Sequence, residues 1–138
     1  MLLGFLLLAV SATLTNAAIS NCATPAQPSL FTIDSLSQTP SDTIIAGQNM
    51  TLDLLYTNPT TITGGYVTTS TIYNFLPLTP TVADLCESIE CPLNPGQHDG
   101  STTYPFPVGV SGTLSIKIVW SNIDSLQLLC LKSTIKAS

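Results

Sequence analysis

Four cysteines are the residues whose spacing points most directly to chemistry: Cys22, Cys86, Cys91 and Cys130. The middle two have four residues between them, and such a pair can close a small disulfide loop or supply two thiolates to a metal. A zinc site would need four nitrogen, sulfur or oxygen ligands, but only one histidine, His98, follows this single C-x4-C pair. We therefore expect two disulfides, no metal and no cofactor.

Three disulfide pairings are possible for four cysteines, and the sequence alone does not choose among them. We favour Cys86–Cys91 as a local loop and Cys22–Cys130 as a link between the N-terminal segment and the last strand. An even number of cysteines in an oxidising compartment argues for two disulfides, so this interpretation depends on entry into the secretory pathway.

The first 17 residues have the pattern of a signal peptide that would supply this route. An apolar run over 1–10 is followed by small residues at Thr15 and Ala17, which suits cleavage after Ala17. The run is about half the roughly 20 residues that a membrane-spanning helix needs. We predict that 1–17 is removed, that 18–138 forms one domain, and that the protein is secreted or resides in the endolysosomal lumen.

Few other groups suggest chemistry. The sequence contains no HExxH, GxSxG, P-loop or GxGxxG motif. His98 lies between the turn signals Asn94–Gly96 and Asp99–Gly100, and we interpret it as a solvated loop residue rather than a member of a catalytic triad. Asp84 and Glu87 are interpreted as surface carboxylates. We therefore predict that the protein is not an enzyme.

The composition favours strands and argues against nucleic acid as a partner. Charged residues make up 8% of the chain, against about 25% in typical soluble domains. Twenty threonines and fifteen serines supply the polarity instead, and β-branched threonine suits a pleated, half-buried surface. With three lysines, no arginine and a net charge of −5, the chain lacks the clustered cations that phosphate contacts require.

Two stretches alternate clearly between apolar and polar residues. One apolar face is predicted over 50–56 and the other over 114–120, with Met50, Leu52, Leu54, Tyr56, Leu114, Ile116, Ile118 and Trp120 facing inward. The segment 126–135 is predicted to pair with the second stretch as a hairpin. Asn49, which opens the first stretch, begins the only intact N-glycosylation sequon.

Further strands are predicted over 30–36, which Pro40 ends, and over 66–73 after a glycine pair. Prolines restrict 76–80 to an edge strand or a loop, and 104–108 is predicted to be another edge segment. No stretch shows a capped helical period. Six to eight short strands indicate an all-β chain that forms an antiparallel, immunoglobulin-like β-sandwich.

The sequence around the segment 86–91, which we call the cysteine loop, resembles that of a known family. Asp84-Leu85-Cys86 and Cys91-Pro92-Leu93-Asn94-Pro95-Gly96 resemble the D-x-C…C-P-[LI]-x-x-G signature of the ML family, the MD-2-related lipid-recognition domains. This family includes Niemann-Pick type C2 sterol carriers and phosphatidylglycerol/phosphatidylinositol transfer proteins. Supporting matches lie at 64–65, 76–78, 106–108, 114–120 and 128–130, so the resemblance covers essentially all of the mature chain.

The resemblance implies two sheets that part to form an apolar cavity for an aliphatic ligand. On this basis, Leu76, Leu78 and Val108 are predicted at the cavity mouth. The predicted lipid-binding positions inside it are Ile116, Ile118, Trp120, Leu131 and Ile135. From the residues alone, each of these positions would be interpreted as ordinary core.

The function that the resemblance implies is non-enzymatic binding and transfer of a sterol or phospholipid. Such a protein is expected to act as a monomer that makes transient contact with membrane surfaces. The alternative is a secreted lipid-sensing module that acts with a cell-surface receptor. Sterol carriers have a further disulfide in the N-terminal strands and an aromatic residue near Ser111, both missing here, which makes this chain more similar to the phospholipid-transfer branch.

Overall fold

The computed structural model describes residues 18–137, and it confirms the predicted all-β class. The predicted signal peptide and Ser138 lie outside the described residues. The ten strands are β1 (Ile19–Asn21), β2 (Thr32–Thr39), β3 (Thr43–Ile44), β4 (Asn49–Asn58), β5 (Gly65–Tyr73), β6 (Leu76–Pro77), β7 (Thr81–Asp84), β8 (Gly96–Pro105), β9 (Gly112–Asn122) and β10 (Gln127–Ala137). A 3-10 turn, Leu85–Glu87, follows β7. Over this range, no helix has the length and apolar character needed to cross a bilayer.

Two sheets of unequal width form the sandwich. The larger sheet has the order β1-β10-β9-β5-β6, with β3 beside β10 and β7 beside β5, whereas the smaller sheet contains only β2, β4 and β8. Neighbouring strands are antiparallel except for the short β3–β10 pair, which is parallel. The prediction of an antiparallel β-sandwich is thus confirmed, but the expected six to eight strands become ten. The additional strands are two to four residues long, too short to produce a readable alternation.

The two predicted alternating stretches form the centre of the core. Met50, Leu52, Leu54 and Tyr56 of β4 are all buried, and so are Ile116, Ile118 and Trp120 of β9. The predicted hairpin is also confirmed, because β9 and β10 pair over most of their length with Leu131 opposite Ile118 and Ile135 opposite Leu114. One face of each of these long strands therefore points into the space between the sheets.

The prediction was wrong at β8. The turn expected at Asp99–Gly100 is instead part of a ten-residue strand, which pairs with β4 from Asn58 opposite Gly96 to Asn49 opposite Pro105. A neighbouring strand that satisfies the backbone N–H and C=O groups outweighs the turn preference of two residues. The predicted edge segment 104–108 is correspondingly divided, since β8 ends at Pro105. The first predicted strand, 30–36, lies at 32–39, directly before Pro40.

Both favoured disulfides are present. Cys86 is bonded to Cys91, and Cys22 is bonded to Cys130, beside a backbone hydrogen bond of 3.0 Å from Cys22 N to Cys130 O. A buried polar group closes the same side of the sandwich: Gln38 Nε2 donates to Thr134 O at 3.2 Å, and Ser133 Oγ donates to Gln38 Oε1. These contacts join β2 to β10, so the two sheets are held together along this side.

Candidate functional site

The other side of the sandwich is open. Here β8 is the edge of the smaller sheet, whereas the larger sheet continues through β5 to β6 and β7. Thr69 and Thr71 pair with the inward-facing Ile118 and Ile116, so they also face inward, yet they are only half-buried. All residues of β7 are exposed. The smaller sheet therefore leaves part of the inner face of the larger sheet uncovered.

A cavity of about 340 Å³ lies between the sheets at this side. Its apolar lining comes from both sheets and from the cysteine loop: Leu52, Leu54, Val67, Ile89, Leu93, Ile118, Trp120 and Leu131. The volume lies within the range of about 300–1,000 Å³ that is typical of small-molecule sites. The parted sheets thus provide a space that could take an apolar ligand.

The opening of this cavity is polar. The exposed members of its lining are Ser88 and Glu90 on the cysteine loop, and Asp99, Ser101 and Thr102 on β8. The remaining lining residues are buried or half-buried. We therefore place the mouth between the cysteine loop and β8, and we refer to these five residues as the rim.

Local hydrogen bonds position the cysteine loop at the mouth. Asp84, predicted as a surface carboxylate, is exposed, and its Oδ1 accepts from Cys86 N at 2.9 Å, which caps the 3-10 turn. Leu85 is completely buried and anchors the turn. Beyond the disulfide, Leu93 exchanges two backbone hydrogen bonds with Ile62, at 2.8 and 2.9 Å. The loop is thus tied down at both ends.

His98 is not the solvated loop residue that the sequence suggested. It lies in β8 opposite the buried Tyr56, it is half-buried, and its ring lines the cavity. Its Nε2 atom is 2.7 Å from the carbonyl oxygen of Asn94. Because a carbonyl only accepts, Nε2 carries the proton that is donated, and Nδ1 of the neutral ring is an acceptor. The residues on either side of His98 are typical of turns, so the sequence predicts a loop where the structure has a strand.

An aromatic group forms one end of the cavity wall. The Tyr56 ring stacks on Phe31 at a centroid distance of 5.2 Å and meets the edge of Trp120 at 5.6 Å. Burial raises the pKa of the Tyr56 hydroxyl, and the Asp99 carboxylate raises it further. Burial likewise raises the pKa of Tyr104, a second lining residue. Both hydroxyls therefore remain protonated at neutral pH.

These two hydroxyls are available to a ligand. Neither forms a hydrogen bond to another group within residues 18–137, and no side-chain oxygen sealed from solvent in this range lacks a partner. Each hydroxyl is therefore accessible, although Tyr56 as a whole is only 2% exposed. Since both side chains line the cavity, they offer polar contacts beside its apolar walls.

Gly100 leaves open space in the β8 wall. It lies opposite Leu54, so a side chain at this position would point inward. A Cβ atom built there would meet no atom within 4 Å. The cavity thus owes part of its volume to the absence of a side chain at this position.

The structure brings together only part of the set predicted to bind lipid. Ile118, Trp120 and Leu131 line the cavity. Ile116 and Ile135 are buried in the core and lie outside that lining. Leu76, Leu78 and Val108, predicted at the mouth, also lie outside it and are 61%, 46% and 85% exposed. Their role in lipid binding stays a prediction.

Three of the most exposed apolar residues lie at one end of the sandwich, which we call the apolar end: Ile45, Phe75 and Val108, at 64%, 97% and 85% exposure. The loops that carry them are in contact. A Cβ built at Gly47 would lie 3.1 Å from Val108 Cγ2, and Asn74 Nδ2 donates to Ser111 O at 3.3 Å. None of the loop residues 45–48, 74–75 and 106–111 is charged.

Comparisons with known proteins agree with the fold. The family described as ML domain matches residues 16–137. No curated protein matches the chain in a sequence search. A Niemann-Pick type C2 protein from Japanese carpenter ant is similar in structure, with a TM-score of 0.66 and 14% identity over 87% of this chain and 98% of that one. Chicken MD-1, solved in complex with lipid IVa, has a TM-score of 0.55 and 18% identity over 86% of each chain.

Proposed function

The chain belongs to the ML-domain family. We propose that it binds a lipid, either a sterol or a phospholipid, in the cavity between its two sheets and transfers this lipid between membranes. The observation that carries the proposal is the cavity of about 340 Å³, with apolar walls and a polar rim. This division matches an amphiphile, whose hydrocarbon leaves water while its headgroup stays at the surface.

Burial of hydrocarbon would supply the driving force for binding. Each methylene moved out of water contributes about 0.8 kcal/mol, and the walls formed by Leu52, Leu54, Ile118 and Leu131 offer the apolar surroundings that this requires. A lipid taken from a bilayer gives up comparable surroundings there, so the net free energy of extraction is small. A small net free energy permits release as well as uptake, which transfer needs.

The apolar end supports transient contact with a membrane. Phe75, Val108 and Ile45 are exposed on neighbouring loops without charges, and aromatic side chains favour the boundary between headgroups and acyl chains. Leu76 pairs with Tyr73 on the inner face of the larger sheet, which β8 leaves uncovered. A path along this uncovered face, past Thr71 and Thr69, would connect the membrane to the cavity.

The two disulfides agree with an extracellular or lumenal protein. We propose that 1–17 is a signal peptide, that 18–138 is the mature domain, and that the protein acts in the secreted or endolysosomal space as a monomer without catalysing a reaction. Asn49 is exposed at the start of β4, so its side chain is accessible for N-glycosylation.

Transfer of a fluorescent lipid between vesicles tests this function, together with mass spectrometry of lipids that co-purify with the secreted protein. Gly100→Leu should fill the cavity and abolish transfer while the fold persists, because the added side chain enters open space. Thr103→Leu is the matched control, since Thr103 lies opposite the outward-facing Thr51 on the same strand. Equal transfer by Gly100→Leu and the wild type would rule out this cavity.

A further inference from the structure

We propose that the cavity selects lipids whose headgroup donates a hydrogen bond and carries no negative charge, as a hydroxyl does. This inference rests on the proposed function, because it concerns the headgroup of the lipid that the cavity would hold. It goes beyond that function by excluding a class of lipids, those that present a carboxylate or phosphate at the mouth.

The distribution of charge is the first support. The cavity lining contains the acidic residues Glu90 and Asp99, and it contains no lysine. Asp99 pairs with the outward-facing Leu55, so its carboxylate lies on the outer face of β8 and Glu90 is the acidic side chain of the loop side of the mouth. The three lysines of the chain, Lys117, Lys132 and Lys136, lie on β9 and β10. Lys117 pairs with Lys132 on the face opposite the buried Ile116 and Ile118, and all three lysines are exposed. The positive charge is therefore on the outer face of the larger sheet, away from the cavity.

The position of the headgroup follows from the rim. Every exposed residue of the lining is polar and belongs to the cysteine loop or to β8, so a headgroup that stays at the water boundary lies among these residues. A negative headgroup there would face Glu90 without a compensating cation in the lining. Glu90 is exposed, but a headgroup held among the rim residues would lie within a Debye length of its carboxylate, so this repulsion would weaken binding.

The hydrogen-bonding capacity of the wall is the second support. The Nε2 proton of His98 is already donated to Asn94 O at 2.7 Å, which leaves Nδ1 of the neutral ring as an acceptor within the lining. The Glu90 carboxylate can only accept, and the hydroxyls of Tyr56 and Tyr104 can accept as well as donate. A headgroup that donates therefore finds acceptors on both the loop and β8, whereas a carboxylate headgroup has no proton to offer them.

Trp120 provides the readout, because it is the only tryptophan of the chain and lines the cavity. Three probes share the same brominated chain, whose bromine quenches tryptophan fluorescence on contact: 12-bromododecanol, methyl 12-bromododecanoate and 12-bromododecanoate. The first donates a hydrogen bond, the second is uncharged but cannot donate, and the third is anionic. Quenching of the wild type at neutral pH and submicellar concentration gives a Kd for each probe.

We expect the alcohol to bind most tightly, the ester more weakly, and the carboxylate about tenfold or more weaker than the alcohol. A carboxylate that binds as tightly as the alcohol would overturn the charge selectivity, and an ester equal to the alcohol would overturn the requirement for a donor. In both cases lipid binding itself would stand. Absence of quenching by all three probes would instead refute the proposed function.

Two charge-reversal variants distinguish the effect of charge at the mouth from the effect of the protein's net charge on probe binding. Glu90→Lys places a cation on the rim, whereas Glu87→Lys changes the net charge equally at an exposed position of the same loop outside the lining. We expect the Kd ratio of carboxylate to alcohol to fall severalfold in Glu90→Lys and to stay at the wild-type value in Glu87→Lys. Equal ratios in the two variants would contradict a selective mouth.

Discussion

The Nε2 atom of His98 lies 2.7 Å from the carbonyl oxygen of Asn94, and this contact joins the β8 wall of the cavity to the segment that follows the cysteine loop. The same oxygen accepts from Asn58 Nδ2 at 3.2 Å. Asn58 is only 1% exposed, and its Oδ1 also accepts from Thr60 N at 3.0 Å. The Asn58 amide on β4 and the His98 imidazole on β8 therefore both bind the segment that follows the cysteine loop.

Asn58→Ala should lower the free energy of unfolding by about 2–3 kcal/mol, because buried backbone groups lose their partners. Asn94→Ala should have little effect, since Asn94 contributes to this network only through its main-chain carbonyl. Urea denaturation of both variants measures the difference. Similar stability losses in the two would show that the Asn58 amide does not organise the loop.

Ile118→Phe and Ile116→Phe enlarge two residues of the same strand and the same inner face. Ile118 lines the cavity, whereas Ile116 is buried outside its lining. Enlargement of the close-packed Ile116 should cost about 1–3 kcal/mol of stability, while Ile118→Phe should cost less and should reduce lipid binding. Thermal unfolding and the Trp120 quenching assay test the pair; a larger stability loss for Ile118→Phe would contradict the assignment of the cavity.

Phe75→Gly should stabilise the fold while weakening contact with membranes. Asn74 and Phe75 form the two-residue turn between β5 and β6 with φ values of 47° and 69°, a conformation in which glycine is favoured and a bulky residue is strained. Phe75 is 97% exposed, so its burial contributes nothing. We expect the free energy of unfolding of Phe75→Gly to be about 1 kcal/mol higher than that of the wild type. Urea denaturation measures this difference.

Sedimentation with zwitterionic vesicles measures the membrane contact of the same variant. We expect severalfold less Phe75→Gly protein to sediment than wild-type protein. Ile123→Ser is the control, because Ile123 is also well exposed, at 59%, but lies in the β9–β10 turn away from the apolar end. Equal losses in both variants would argue against a specific membrane-facing end.

Replacing Cys22 and Cys130 together by alanine should lower stability by about 4 kcal/mol, because this disulfide closes a loop with a sequence separation of 108. The Cys86–Cys91 pair has a separation of 5, so its removal should cost less globally. Its loss should instead alter lipid binding, since this loop carries part of the rim. The two double variants are compared by denaturation and by Trp120 quenching.

Asp34 should contribute to the loss of stability of the smaller sheet at acid pH. Thr57 Oγ1 donates to Asp34 Oδ2 at 2.6 Å and Gln97 Nε2 donates to it at 3.1 Å, and these hydrogen bonds hold the pKa of Asp34 below its ordinary value of 3.8. A carboxyl whose pKa is lowered on folding stabilises the fold above its unfolded pKa, and that contribution is lost as the pH falls through the folded pKa. In Thr57→Val, NMR titration should show a higher pKa for Asp34.

The sequence was most informative where side chains alternate strictly. Residues 50–56 and 114–120 are predicted to be buried strands because their apolar positions repeat with period two, and the sandwich and the hairpin follow from them. Both disulfides were favoured correctly, although the spacing of cysteines could not decide between three pairings. Strand alternation is a local feature, which the sequence displays directly.

The cavity depends on relationships that the sequence does not display. His98, Gly100 and Thr102 become a cavity wall only because β8 pairs with β4, whereas the sequence predicts turns at 94–96 and 99–100. The opposite error occurs for Leu76 and Leu78, which are apolar but lie where the smaller sheet does not reach. The number of strands in each sheet determines which part of the larger sheet is covered. This number depends on the whole chain.

The position of β8 at the edge of the smaller sheet has a consequence for hydration. Over the described residues, β8 pairs only with β4, so alternate backbone N–H and C=O groups along its other edge require partners. A hydrocarbon chain cannot supply them, and water must do so. A ligand bound in the cavity would therefore share the mouth with water molecules along β8, and its release would begin beside solvent that is already in place.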